Sequence, residues 1–146
     1  MSIRVNARLP YVMKRTTDLY QLLYISAIAP DLPISCVADI ARKARIGNNE
    51  RGITGLLIFD GQRFCEYVEG SEDHLMALKE RVRNDHRHID MKMLHHGPLS
   101  KRRFKGFSLG YAEVDDSDVL ERLSRLVGQS ALDALDALLP TLDLDG

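Results

Sequence analysis

Residues 52–70, GITGLLIFDGQRFCEYVEG, read as two strands joined by a tight turn. The first, 52–60, is apolar on both faces, which places it inside a sheet covered on both sides. Asp60-Gly61 is a hairpin-turn dipeptide, so 63–69 should return antiparallel. That returning strand carries one anomaly. Glu66 alternates with Phe64 and Val68 and shares their face, and an unpaired carboxylate among buried apolar neighbours is costly.

Outward from the hairpin, residues 20–27 (YQLLYISA) form an apolar and aromatic run that predicts a first strand. Alternation puts Tyr20, Leu22, Tyr24 and Ser26 on one face, and Gln21, Leu23, Ile25 and Ala27 on the other. Pro30 and Pro33 end it. Val37, Ile40, Ala41 and Ala44 then recur at helical spacing, with Ser35 as cap and Gly47 as expected stop. Ser71 opens a second helix, supported by Glu72 and Asp73 at its positive end and ending near Asn84. Residues 89–94 alternate as a fourth strand, and 104–112 read as a fifth. The order β-α-β-β-α-β-β is the ferredoxin-like pattern plus one strand. The fold class predicted is an α+β ferredoxin-like sandwich: a five-stranded mixed sheet with two helices on one face and C-terminal helices on the other. Those last helices come from Val119, Leu120, Leu123, Leu126 and Val127, then, after Gly128, Leu132, Leu135, Leu138 and Leu139. They either cap the back of the sheet or meet a partner, since large apolar patches rarely stay exposed. The organisation expected is an arm over 1–18, a main domain over 19–113 and a helical cap over 114–146.

Composition narrows the function classes. Among 146 residues, 20 Lys and Arg oppose 21 Asp and Glu, a net charge of −1, which gives no support to nucleic-acid binding by a basic surface. No apolar run approaches the roughly 20 residues that span a bilayer, and neither a signal peptide nor a membrane partner is expected. Cys36 and Cys65 lack metal or redox spacing, and reduced thiols suit a cytoplasmic protein. The adjacent His95 and His96 face opposite ways in a strand, so no metal site is expected.

Three elements offer polar groups to one region: Tyr24 from the first strand, Asn48 after the first helix and Glu66 from the third strand. Polar groups converging on an apolar gap orient a planar ligand. The bland alternatives are a core tyrosine with a satisfied hydroxyl and a helix-capping asparagine. Arg81 and Asp85 share a helix flank as a ligand pair or a surface ion pair. Arg87 and His88 contact an anion or decorate a turn.

At these residues the chain resembles the BLUF family, sensors of blue light using FAD. The pieces are LYQLLYIS (19–26), NNERGITGLLIF (48–59), RFCEYVEG (63–70), NDHRH (84–88) and RRFKGFSLG (102–110), in family order and spacing. The resemblance implies a non-covalent FAD, with FMN or another flavin possible, its ring between the two helices and edge-on to the sheet. It implies that Tyr24 gives an electron and a proton to the excited flavin and that Asn48 bonds the ring's polar edge. Arg81 and Asp85 resemble residues that hold the cofactor, and Arg87 and His88 resemble loop residues near the ring and ribityl chain. Ser26, Ile53 and Phe64 complete the expected lining. Phe107 and Leu109 stand where the family relays its signal to the C-terminal helices. The resemblance implies no enzyme activity, an unidentified protein effector, and a homodimer or other oligomer.

The chain departs from the pattern at Glu66, where the family carries a glutamine that bridges tyrosine and flavin. It also has Gly47 for a polar residue before Asn48, Phe107 for a tryptophan and Leu109 for a methionine. Glutamine offers a donor and an acceptor; an ionised carboxylate offers acceptors only, and a protonated one offers both. Burial in an apolar pocket raises a carboxyl pKa. The expectation is a neutral Glu66 near pH 7. A flavin-binding or flavin-free interaction module with an altered or lost photocycle is the alternative.

Overall fold

The structure, a computed structural model, describes residues 18–145, so the predicted arm lies outside the described residues apart from Asp18. Five strands form one sheet: β1 (Leu19–Ile28), β2 (Thr54–Phe59), β3 (Arg63–Gly70), β4 (His88–Leu99) and β5 (Gly110–Glu113), in the order β4-β1-β3-β2-β5. All pairings are antiparallel except β2 with β5. Helices α1 (Cys36–Glu50) and α2 (Glu72–Asn84) cover one face; α3 (Ser117–Leu123) and α4 (Gln129–Leu138) cover the other. The mixed five-stranded sandwich read from the sequence is the observed architecture.

The hairpin turns where Asp60-Gly61 predicted. Gly61 has φ +99, and Asp60 Oδ1 accepts the amides of Gln62 and Arg63 at 2.8 and 2.6 Å. Gly55 is required by close approach: a Cβ there would lie 2.0 Å from the Tyr67 carbonyl oxygen. Ser71 caps α2 by accepting the His74 amide at 3.2 Å. Ser35 makes no side-chain cap bond, contrary to expectation.

Three boundaries in the sheet and the first helix differ from the sequence reading. Helix α1 runs through Gly47 to Glu50 and ends at Gly52, whose φ is +67. The Ile53 amide donates to the Asn48 carbonyl at 2.9 Å and the Gly52 amide to Asn49 at 3.5 Å, a Schellman ending. Strand β4 extends to Leu99 because β1 pairs it along its whole length, and Pro98 is tolerated because β4 is an edge. The strand predicted over 104–112 is real only for Gly110–Glu113. Before it, the Arg103 and Phe104 amides donate to the Glu69 side chain, not to a strand ladder.

The C-terminal helices take the capping option. Leu120, Leu123, Ala131, Leu132 and Leu135 bury against Leu23, Ile25, Leu56, Ile58, Cys65 and Tyr67. Val127, expected on the buried stripe, is 60% exposed, because α3 ends at Leu123 and Val127 lies beyond its helical face.

Candidate functional site

The helical face of the sheet holds two apolar clusters that do not merge. One joins Val37, Ile40 and Ala41 of α1 to Leu57, Phe59, Phe64 and Leu109. The other joins Leu75 and Leu78 of α2 to Leu22, Tyr24, Ile53 and Val68. Along β3, Glu66 falls between Phe64 of the first cluster and Val68 of the second. The seam between the clusters is therefore where this strand places its carboxyl group.

Tyr24 and Glu66 are direct partners in the β1–β3 register. Their side chains project to the same face, and the Tyr24 hydroxyl donates to Glu66 Oε1. Tyr24 is fully buried and Glu66 is 5% exposed. Glu66 Oε2 is also buried and has no hydrogen-bond partner. Burial pushes the Glu66 pKa up to about 8, with the Arg81 charge pulling the other way. Burial therefore favours the protonated form of this carboxyl near neutral pH. One oxygen takes the tyrosine's hydrogen bond, which leaves a donor or an acceptor at Oε2. An unpartnered buried carboxyl oxygen in this position is available to a polar atom of a ligand.

Asn48 sits in the last turn of α1, 1% exposed, and its Nδ2 donates to the Ser108 carbonyl at 3.0 Å. Its backbone closes the helix while its side chain ties α1 to the segment before β5, so capping and site placement belong to one residue. Ile53 is buried on the α2 side of the seam and Phe64 on the α1 side. Ser26 drops out of the β1–β4 pairing at a register shift, and its hydroxyl meets His88 Nδ1 at 3.0 Å. The His88 ring packs 4.7 Å from Phe64, and burial holds its pKa down. These residues line one connected strip from α1 across β3 to the start of β4.

Asp85 and Arg87 form a bidentate pair, with Nε 3.0 Å from Oδ1 and Nη2 2.8 Å from Oδ2. The Arg87 hydrogen bond is the main reason the Asp85 pKa falls to about 2. Arg87 also reaches Asp39 of α1 at 3.6 Å, which bridges the two helices. The expected alternative of an Arg81–Asp85 surface pair is thus replaced by Asp85–Arg87. Arg81 faces Glu66 and Arg51 electrostatically, and burial leads the lowering of its pKa.

The two expected relay positions part company. Leu109 is fully buried in the α1 cluster, beside the site. The Phe107 ring lies against Gly110, where a Cβ would come within 2.6 Å of it, and meets Phe104, which packs with the opposite face, at a tilted 6.3 Å.

Two participants were not read from sequence. Arg51 donates to the Gly47 carbonyl at 3.0 Å and occupies space that a side chain at 47 would need. A cation one helical turn after a glycine was the available clue. Glu69, fully buried at the end of β3, was visible only as part of a motif.

The set suits a flavin: apolar walls at Ile53 and Phe64, a side-chain amide at Asn48, an unsatisfied carboxyl oxygen and a cation at Arg81. An open concavity of about 610 Å³ at the Ile28–Pro30 end of the sheet shares Ser26 with the site but is lined by neither Tyr24 nor Glu66.

Comparison with known proteins agrees with this reading. The photoactivated adenylate cyclase subunit alpha-like protein FB of Euglena gracilis is 29% identical over 104 residues, 68% of this chain and 10% of that protein. The chain therefore spans about a tenth of that relative. BlrB, a BLUF protein solved in its dark state, superposes with a TM-score of 0.72 at 25% identity, covering 86% of this chain and 97% of BlrB. Klebsiella pneumoniae BlrP1, solved with FMN and cyclic diGMP, gives 0.63 at 30% identity, covering 75% of this chain and 30% of BlrP1. A family model, sensors of blue-light using FAD, matches residues 19–110, and the chain belongs to that BLUF family of flavin-binding blue-light sensors.

Proposed function

We propose that the chain is a blue-light photoreceptor that holds FAD non-covalently and switches through the hydrogen bonds of Tyr24 and a neutral Glu66. The observation that carries this is the buried Tyr24–Glu66 bond with Glu66 Oε2 left unpartnered. When bound, the flavin supplies the absorption of blue light and the oxidising power of its excited state. Tyr24 holds its phenolic proton against Glu66 Oε1. A protonated Glu66 presents its own proton at Oε2, so it is an acceptor at one end and a donor at the other. Rotation about the bond to the carboxyl carbon exchanges the two oxygens. Glu66 then donates to Tyr24 and offers an acceptor toward the bound flavin. That exchange is the carboxyl counterpart of turning an amide. Asn48, Arg81, Asp85, Arg87 and His88 orient the cofactor, with Ser26 setting the His88 ring. Ile53 and Phe64 exclude water.

The flavin-binding unit is taken as residues 19–113, with 114–146 as its cap. FAD is preferred over FMN from the family's description, although FMN accompanies BlrP1. The reading assigns no enzyme activity to this chain. It places it in the cytoplasm and passes the light response to a protein effector or through self-association. The name of the Euglena relative, a photoactivated adenylate cyclase subunit alpha-like protein, is consistent with an effector role.

A second reading keeps the flavin and loses the switch, and the carboxyl at 66 favours it, because ionisation would remove the donor. Absorption spectra before and after blue light separate the two. The photoreceptor gives a reversible shift of the flavin bands in the wild type and none in Tyr24→Phe, which should still bind flavin. A yellow wild type with no shift selects the second reading, and protein that cannot be loaded with flavin removes both.

A further inference from the structure

A second chain of hydrogen bonds lies on the opposite face of the same two strands. Gln21 of β1 pairs in register with Glu69 of β3, and Tyr67 precedes Glu69 by two, so all three project to the back of the sheet. Tyr67 and Glu69 are fully buried, and Gln21 is 8% exposed. The Tyr67 hydroxyl lies 2.9 Å from Gln21 Oε1 and 2.9 Å from Glu69 Oε2. It has one proton for two acceptors, so the arrangement has two alternative states.

What Glu69 holds gives those states a consequence. Its side chain accepts the Arg103 amide at 3.0 Å and the Phe104 amide at 3.1 Å. Arg103 lies over the Tyr67 ring, 5.3 Å from its centroid, and its guanidinium bonds Asp136 of α4. The Phe104 ring meets Tyr67 edge-on at 5.6 Å. One carboxyl group thus fixes the segment before β5, and that segment grips the helix covering the back of the sheet.

We infer that Gln21, Tyr67 and Glu69 are positioning residues that form a second switch, coupling the light site to loop 101–104 and helix α4. The inference rests on the photoreceptor reading above. Tyr24 and Gln21 belong to β1; Glu66, Tyr67 and Glu69 belong to β3. A change in the Tyr24–Glu66 bond shifts β1 against β3. That shift moves Gln21 relative to the Tyr67 hydroxyl but leaves Glu69, on Tyr67's own strand, in place. The proton therefore passes from one acceptor to the other. When it is on Glu69, that carboxyl group's capacity as an acceptor is shared and its hold on the Arg103 and Phe104 amides weakens. The route uses Arg103 and Asp136, so it does not require Phe107 and Leu109 to act together.

The test is hydrogen exchange of the flavin-loaded full chain in dark and light, for wild type, Tyr67→Phe and Gln21→Leu. Tyr67→Phe removes the shared hydroxyl; Gln21→Leu leaves that hydroxyl one acceptor and also removes the Gln21 Nε2 bond to the Pro98 carbonyl. Both variants should keep the reversible flavin band shift. In both, the light-minus-dark exchange change over residues 129–138 seen in the wild type should vanish. A wild-type-sized change in either variant overturns the inference, as does its absence from a photoactive wild type. Wild-type flavin bands that do not move under blue light would sink the photoreceptor reading instead. The dark comparison then decides: Tyr67→Phe should alter exchange across 101–104 and 129–138 by about threefold to tenfold, the effect of one net hydrogen bond. Equal rates overturn the coupling.

Discussion

At the scale of single residues, the protein keeps a tyrosine and replaces the usual amide with an acid. Burial makes that replacement workable. With a pKa near 8, Glu66 in the folded protein retains a proton that the unfolded chain loses near the ordinary value of 4.5. The stabilising contribution is full below pH 4.5, declines as the pH rises across that window and levels off above about 8. Unfolding free energy of the flavin-free protein should fall with pH by up to about 1.4 kcal/mol per unit from this group. Glu66→Gln should remove that slope, and denaturant titrations from pH 5 to 9 would read it. Equal slopes in the two proteins would mean that Glu66 is ionised or solvated in the fold. Alternation alone aimed Tyr24 and Glu66 at one region, and the resemblance gave that region a flavin. It did not reveal Arg51, whose role depends on the space left by Gly47.

At the scale of elements, much of the hairpin's chemistry was legible because its constraints are local. Gly52 ends α1 with a positive φ, and Gly55 lets β2 approach β3. Gly52→Ala should cost about 1–2 kcal/mol, the penalty for a left-handed backbone with a Cβ. Gly55→Ala meets backbone, which cannot move aside, and should be far more damaging. Thermal unfolding of the two variants tests this ordering, and similar losses would contradict it. The end of α1 was misread because Gly47 looks like a terminator, yet the capping geometry is completed only by Ile53. The strand expected over 104–112 was misread for a non-local reason. Glu69, 34 residues before Arg103, takes the amides that a ladder would otherwise need. Periodicity within a segment carries no trace of an acceptor supplied from another strand.

At the scale of the whole molecule, the sheet separates two jobs. One face carries the seam between two apolar clusters; the other is sealed by α3 and α4. The sequence left open whether the last helices cap the chain or meet a partner, since either use needs the same leucine stripe. Capping is what the fold adopts, and Leu135, fully buried, is its centre. Leu135→Ala should cost about 2–5 kcal/mol in denaturant unfolding. Flavin affinity should be nearly unchanged, because the helix lies on the far face. A parallel loss of flavin would place the cofactor's support on the wrong side of the sheet.

The most direct measurement is the infrared spectrum of the flavin-loaded protein, taken in the dark across a pH series. A protonated-carboxyl carbonyl band should be present near pH 7, absent from Glu66→Gln, and lost only at higher pH. A wild-type spectrum that lacks this band at pH 6 and matches Glu66→Gln would contradict the neutral Glu66 on which the switch depends.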